Sequence, residues 1–202
     1  MPSALRSASA ASGFFAPAAG LSMVLIAVYS APWFSWTRNA LSDLGVGDTA
    51  PVFNSGLIVA GLFGIVFALG LGRFIFTSKS GRAGTIAMMF SCIALVSIGI
   101  FPESAGRIHY WVSVAFFVSL PISMFILAGA MAISDFRRNM PFILLTVILA
   151  VVAAVPWGLP HDGVAIPEII SSVAGSVWFC VFGWRLLGST GSGPGMLFGK
   201  PY

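Results

Sequence analysis

Six apolar stretches separated by short polar ones dominate the chain. They run approximately over 14–34, 53–72, 83–101, 109–132, 141–159 and 166–187. A helix rises 1.5 Å per residue and the hydrocarbon core of a bilayer is about 30 Å thick, so about 20 apolar residues suffice to cross it. The pattern predicts an all-α polytopic membrane protein, a bundle of six transmembrane helices filling residues 1–187. A glycine- and serine-rich tail over 188–202 reads as flexible or as appended sequence. The first stretch is longer than the usual 7–15-residue core of a signal peptide, so it reads as an uncleaved span.

Composition agrees with a bilayer as the main solvent. The chain is 58% hydrophobic and 8% charged, where an ordinary soluble domain carries roughly 25% charged residues. So few charges leave no room for a separate soluble domain. The net charge of +4 would suggest nucleic acid in a soluble protein. Here no basic run with interleaved aromatics supports such a partner, and nucleic acid is excluded. Cys92 and Cys180 lie well inside apolar stretches with no CxxC pair, and read as small buried hydrophobes.

The charges are segregated. Arg6, Arg73, Lys79, Arg82, Arg137, Arg138, Arg185 and Lys200 fall on one side of the predicted spans, and only Arg38 and Arg107 on the other. The positive-inside rule then places both termini in the cytoplasm of a cell-membrane protein. The outward loops hold Asp43, Asp48, Glu103, His109, His161, Asp162 and Glu168, with Trp33, Trp36, Trp111 and Trp157 near the same interface. Ionisable groups close to hydrocarbon are costly, so this face is where chemistry is expected.

Each of these residues also has a purely structural explanation. Glu168 follows Pro167 and suits the positive end of a helix. Asp162 and Gly163 form a turn pair. Asp43 and Asn54 could cap helices, and Thr37 could cap a short helix ending near Gly45. Taken together they carry more weight, because Glu103, His109, His161, Asp162 and Glu168 all sit at the outer ends of the third to sixth spans. Carboxylates and imidazoles are general acids and bases, which makes Glu103, His109 and Glu168 the catalytic candidates. They are also zinc ligands, which makes His109, His161 and Glu168 the metal candidates, although no HExxH spacing is present. For binding a ligand the set widens to Asp43, Asn54, Glu103, His109, His161, Asp162 and Glu168.

The second span carries Gly56, Ala60, Gly64, Ala68 and Gly72 at every fourth position. Such a stripe lets another helix approach closely, either within the chain, in a second copy, or in a partner membrane subunit. Pro121 is expected to kink the fourth span and Pro156 the outer end of the fifth.

At SDLGVG followed by FNSGLIVAGLFG, then FPES with IHY, and AIPE, the chain resembles the archaeal branch of the membrane family known as domain of unknown function 998. The resemblance covers most of the chain, from the first span to the sixth, and excludes the tail. Asp43, Asn54, Glu103, His109 and Glu168 follow that pattern in order. It implies a six-helix membrane bundle and no activity.

Three functions compete for the outer face. A binding protein would use it to hold a lipid headgroup or a partner subunit. An interfacial enzyme would use one acid or histidine as general base on a lipid or lipid-linked substrate, with zinc as the cofactor to test. A small transporter would divide the spans into two inverted sets of three. Mid-membrane polarity comes from residues such as Ser91, Ser119, Ser123, Ser172 and Ser176, with no acid or base, which weakens the transporter. The binding reading requires the fewest unseen features.

Overall fold

The computed structural model of the protein describes residues 2–188. Five helices form most of it: α1 (Pro2–Tyr29), α2 (Ala50–Phe74), α3 (Lys79–Ile100), α4 (Arg107–Ala154) and α5 (Ala165–Gly188). All five are long and apolar enough to cross a bilayer, and the chain is a multi-pass membrane protein. The tail expected over 188–202 lies, beyond Gly188, outside the described residues.

The count of six helices is therefore corrected to five, and the six-helix bundle with it. The expected fourth and fifth spans are one element, the 48-residue α4, in which only Asp135 leaves helical geometry (φ −164°, ψ 95°). No loop is needed at the bend because side chains satisfy its backbone. The Asp135 carboxylate accepts the N–H of Arg138 at 3.0 Å, a helix cap formed in mid-element. On the other side of the bend Asn139 donates its amide to the carbonyl oxygens of Asp135 (2.9 Å) and Met131 (3.3 Å). The two arms fold back on each other, which brings the rings of Phe117 and Trp157 to 4.6 Å between centroids. Hydropathy registered the polar interruption around Arg137 and Arg138 as a loop, whereas hydrogen bonding keeps it helical. Pro121 and Pro141 both lie in helical backbone.

Helix α1 packs against α2 and α5, α2 against α3, α3 against α4, and α4 against α5. It begins well before the expected first span: a Cβ on Gly70 would collide with Ser9, and one on Gly13 would lie 2.8 Å from the Phe67 ring. The small-residue stripe of α2 is taken up within the chain. Gly56 meets Met23 of α1, a Cβ on Gly20 of α1 would lie 3.1 Å from Ala60, and Cβ atoms on Gly64 and Gly72 would lie 2.7 Å from Cys92 and 2.8 Å from Thr85 of α3. Removing side chains here lets backbones approach and gain dispersion contacts that lipid does not offer. Trp178 anchors the centre, fully buried, stacked on Phe182 at 4.3 Å and donating its indole N–H to Thr146 at 3.0 Å.

Candidate functional site

Five of the six acids, Asp43, Asp48, Glu103, Asp162 and Glu168, lie at the end where α1, α3 and the second arm of α4 end and α2, the first arm of α4 and α5 begin. A polar segment between α1 and α2 is laid across this end. Its backbone pairs with the turn before α5: Gly163 N–H donates to Thr37 O and Ala165 N–H to Asn39 O, both at 2.9 Å. The approach is too close for any side chain at Gly163, whose Cβ would lie 2.6 Å from the Asn39 nitrogen.

Next along this segment comes a 3₁₀ turn, Leu41–Gly45. Its first N–H groups have no partner within the turn, and two carboxylates supply one. Asp43 accepts from Ala40 N–H at 3.1 Å and from the Asn39 amide at 2.6 Å, while Glu168 accepts from Leu41 N–H. Negative charge is favourable at such a start, where backbone dipoles leave partial positive charge. The expected cap, Thr37, instead sits with its hydroxyl 3.3 Å from that of Ser35. Glu168, in the first turn of α5, is 7% exposed.

His109 joins the end of α3 to the start of α4. Its Nδ1 lies 2.8 Å from the carbonyl oxygen of Phe101 and its Nε2 3.3 Å from the Ser113 hydroxyl. A carbonyl only accepts, so the hydrogen-bond network assigns the proton to Nδ1 and leaves Nε2 to accept from Ser113. The ring is 7% exposed and also occupies a carbonyl that the end of α3 leaves unpaired.

Glu103 stands in a short 3₁₀ turn, Glu103–Ala105, between α3 and α4. The residue is exposed as a whole, yet it lines a groove wall where restricted hydration pushes its carboxyl up to about 7; a hydrogen bond with Asp43 and the charge of Asp43 act in the same direction. Asp43, Glu103 and Glu168 all lie within electrostatic reach of one another.

Glu103, His109 and Glu168 head a groove of about 750 Å³. Glu103, His109, Ser42, Ser113 and Glu168 line one part of it; Val114, Val118, Ile122 and Phe125 line the rest, with Trp157 and Ala154 opposite. From Tyr110 to Phe125 the wall descends about 22 Å along α4, enough to pass the middle of the hydrocarbon. Val118 is 51% exposed and Ile122 49%, so the lower groove opens sideways toward lipid. A polar head above a lateral apolar slot matches the shape of a membrane amphiphile. A separate cavity of about 90 Å³ in the middle of the bundle is lined by no acid, histidine or base.

Of the expected site residues, the structure brings Glu103, His109 and Glu168 to this groove, with Asp43 facing Glu103. His161 and Asp162 are exposed in the turn before α5 and do not line it. Asn54 lies on α2, where its amide donates to Gly45 O at 3.0 Å. Among the described residues, no group of three or more His, Cys, Asp or Glu side chains is arranged to hold a metal ion. Sequence reasoning missed Ser42, Ser113 and the apolar face of α4. Ser113 was signalled by its place four residues after His109, one helical turn along the same face.

The family described as Protein of unknown function (DUF998) matches the chain over residues 14–185. No curated protein and no solved structure matches it. The matched region takes in α2, α3 and α4 whole, nearly all of α5 and every residue that lines the groove, and the chain belongs to the DUF998 family.

Proposed function

We propose that the protein binds a membrane lipid in the groove along α4, headgroup against Glu103, His109, Ser42 and Glu168, and chain against Val114, Val118, Ile122 and Phe125. One observation carries this reading: a single cavity joins an acid and histidine head to an apolar slot that opens to the bilayer. The head is rich in acceptors. Glu168 and Glu103 supply carboxyl oxygens, which favours a headgroup with amine or hydroxyl donors over one that presents only phosphate. Mass spectrometry of lipids that remain with the purified protein tests the reading. A lipid enriched over its share of the membrane, at about one per chain, is the expected result, and Val118→Trp should displace it by filling the slot. Lipid content that mirrors the bulk membrane, unchanged by Val118→Trp, contradicts it.

A catalytic use of the same groove has one specific observation in its favour. Ser113 Oγ lies 3.3 Å from His109 Nε2, and the far nitrogen of that ring is held by a carbonyl. A hydroxyl donating to an oriented imidazole is the arrangement of an activated nucleophile and its base. Labelling by a serine-directed fluorophosphonate, lost in Ser113→Ala and reduced in His109→Ala, would favour hydrolysis or acyl transfer on an ester-linked lipid. Absence of labelling in folded protein favours binding alone.

A further inference from the structure

At the opposite end of the bundle a second groove, of about 370 Å³, lies between the last turns of α2 and the first turns of α3. Arg73 and Arg82 both line it. Leu69 lies one turn deeper than Arg73, and Ile86 one turn deeper than Arg82, with Met89 beyond. Leu69 is 57% exposed and Ile86 61%, so this wall faces lipid. The helices touch at the floor, where a Cβ on Gly72 would lie 2.8 Å from the Thr85 hydroxyl.

The charge around this groove is one-sided. Residues 49–102 contain no Asp or Glu, so the α2–α3 hairpin holds Arg73, Lys79 and Arg82 with no acid of its own. Asp135, in the α4 bend, already accepts the N–H of Arg138 and does not line the groove. Retention of basic loops on one side of a membrane would be served by arginines anywhere in this connection. It does not require two guanidinium groups to converge on one slot whose deeper wall is apolar.

We infer that the α2–α3 groove is a binding site for an anionic phospholipid, its phosphate between Arg73 and Arg82 and its chain along Leu69, Ile86 and Met89. Guanidinium groups match phosphate oxygens with paired hydrogen bonds, and close to hydrocarbon those bonds are weakly screened. The site differs from the groove along α4 in position, charge and ligand, and stands whether or not that groove binds lipid.

Native mass spectrometry of the full chain in detergent, with phosphatidylglycerol and phosphatidylcholine offered together, tests the inference. One phosphatidylglycerol should be retained per chain with roughly tenfold preference. Arg73→Gln with Arg82→Gln should remove that adduct, each single change should weaken it, and Arg137→Gln with Arg138→Gln should leave it in place. The last pair removes as much charge from the same end of the bundle, away from the groove. If the double variant does not fold, as judged by circular dichroism, the single variants decide. Retention of the adduct without Arg73 and Arg82, or equal loss in the Arg137 and Arg138 pair, overturns the site. Displacement by millimolar inorganic phosphate also overturns it, in favour of a site for a free anion.

Discussion

The backbone N–H of Leu41 donates to the carboxylate of Glu168, 127 positions later in the chain. That contact ties the segment between α1 and α2 to the first turn of α5, and it fixes the acid whose other side faces the groove. A group read from sequence as an ordinary helix-start carboxylate is therefore also the clamp that closes this end of the bundle.

Glu168→Ala should leave a buried N–H without its acceptor and lower stability by about 1–3 kcal/mol. Glu168→Gln keeps an oxygen for Leu41 and should lose less. Thermal unfolding in detergent distinguishes the two; equal losses would mean that charge, not the hydrogen bond, holds the segment.

Glu103 introduces a pH dependence. Its carboxyl, pushed up to about 7 from an ordinary 4.5, binds its proton more tightly in the folded protein than in the unfolded chain. The sign follows from linkage: its contribution favours folding most at low pH and is lost as pH rises from about 4.5 through about 7. Glu103→Gln should flatten that part of the stability profile and raise the melting temperature at pH 8 relative to wild type. A difference confined to acid pH would contradict the assignment.

Gly163→Ala should destabilise by roughly 1–3 kcal/mol, because the new methyl would press on the backbone of Arg38 and Asn39 with no flexible side chain to yield. Gly129→Ala makes a direct comparison, since nothing lies within 4 Å of its would-be Cβ. Equal melting temperatures for the two variants would mean that the 35–39 segment is not held as described.

Asn139 holds the bend of α4. Fully buried, it donates to Asp135 O and Met131 O, and its carbonyl oxygen accepts from Arg185 at 2.7 Å. Asn139→Ala should cost about 3 kcal/mol, since several buried polar groups lose a partner together. Asn139→Asp should partly compensate by keeping an acceptor for Arg185, and melting temperatures check the order.

The membrane class of this molecule was legible in the sequence for a simple reason: hydropathy measures transfer to lipid directly, so the apolar runs identified a multi-pass helical protein, though they gave six helices where there are five. The failure at residues 133–140 has an equally plain cause. Hydropathy cannot distinguish a polar loop from a polar helical bend, and only the side-chain bonds of Asp135 and Asn139 made it the latter. At the site, charge segregation pointed to Glu103, His109 and Glu168, which do meet at one groove, but it included His161 and Asp162, which share the loop side without sharing the cavity. Loop membership sets an end of the bundle, whereas convergence depends on how each turn is laid over that end and how each helix is rotated about its axis. The apolar wall of the groove was hidden for the same reason, because Val118 and Ile122 look like any other lipid-facing residues until Trp157 is set opposite them.

A photoreactive lipid tests occupancy of the groove along α4 most directly. With a diazirine in the acyl chain, crosslinks mapped by peptide mass spectrometry should concentrate on Val114, Val118, Ile122 and Phe125, and Val118→Trp should abolish that cluster. Crosslinks spread evenly over other lipid-exposed side chains, such as Leu25, Phe90 and Ile148, with no excess along the groove, would contradict it.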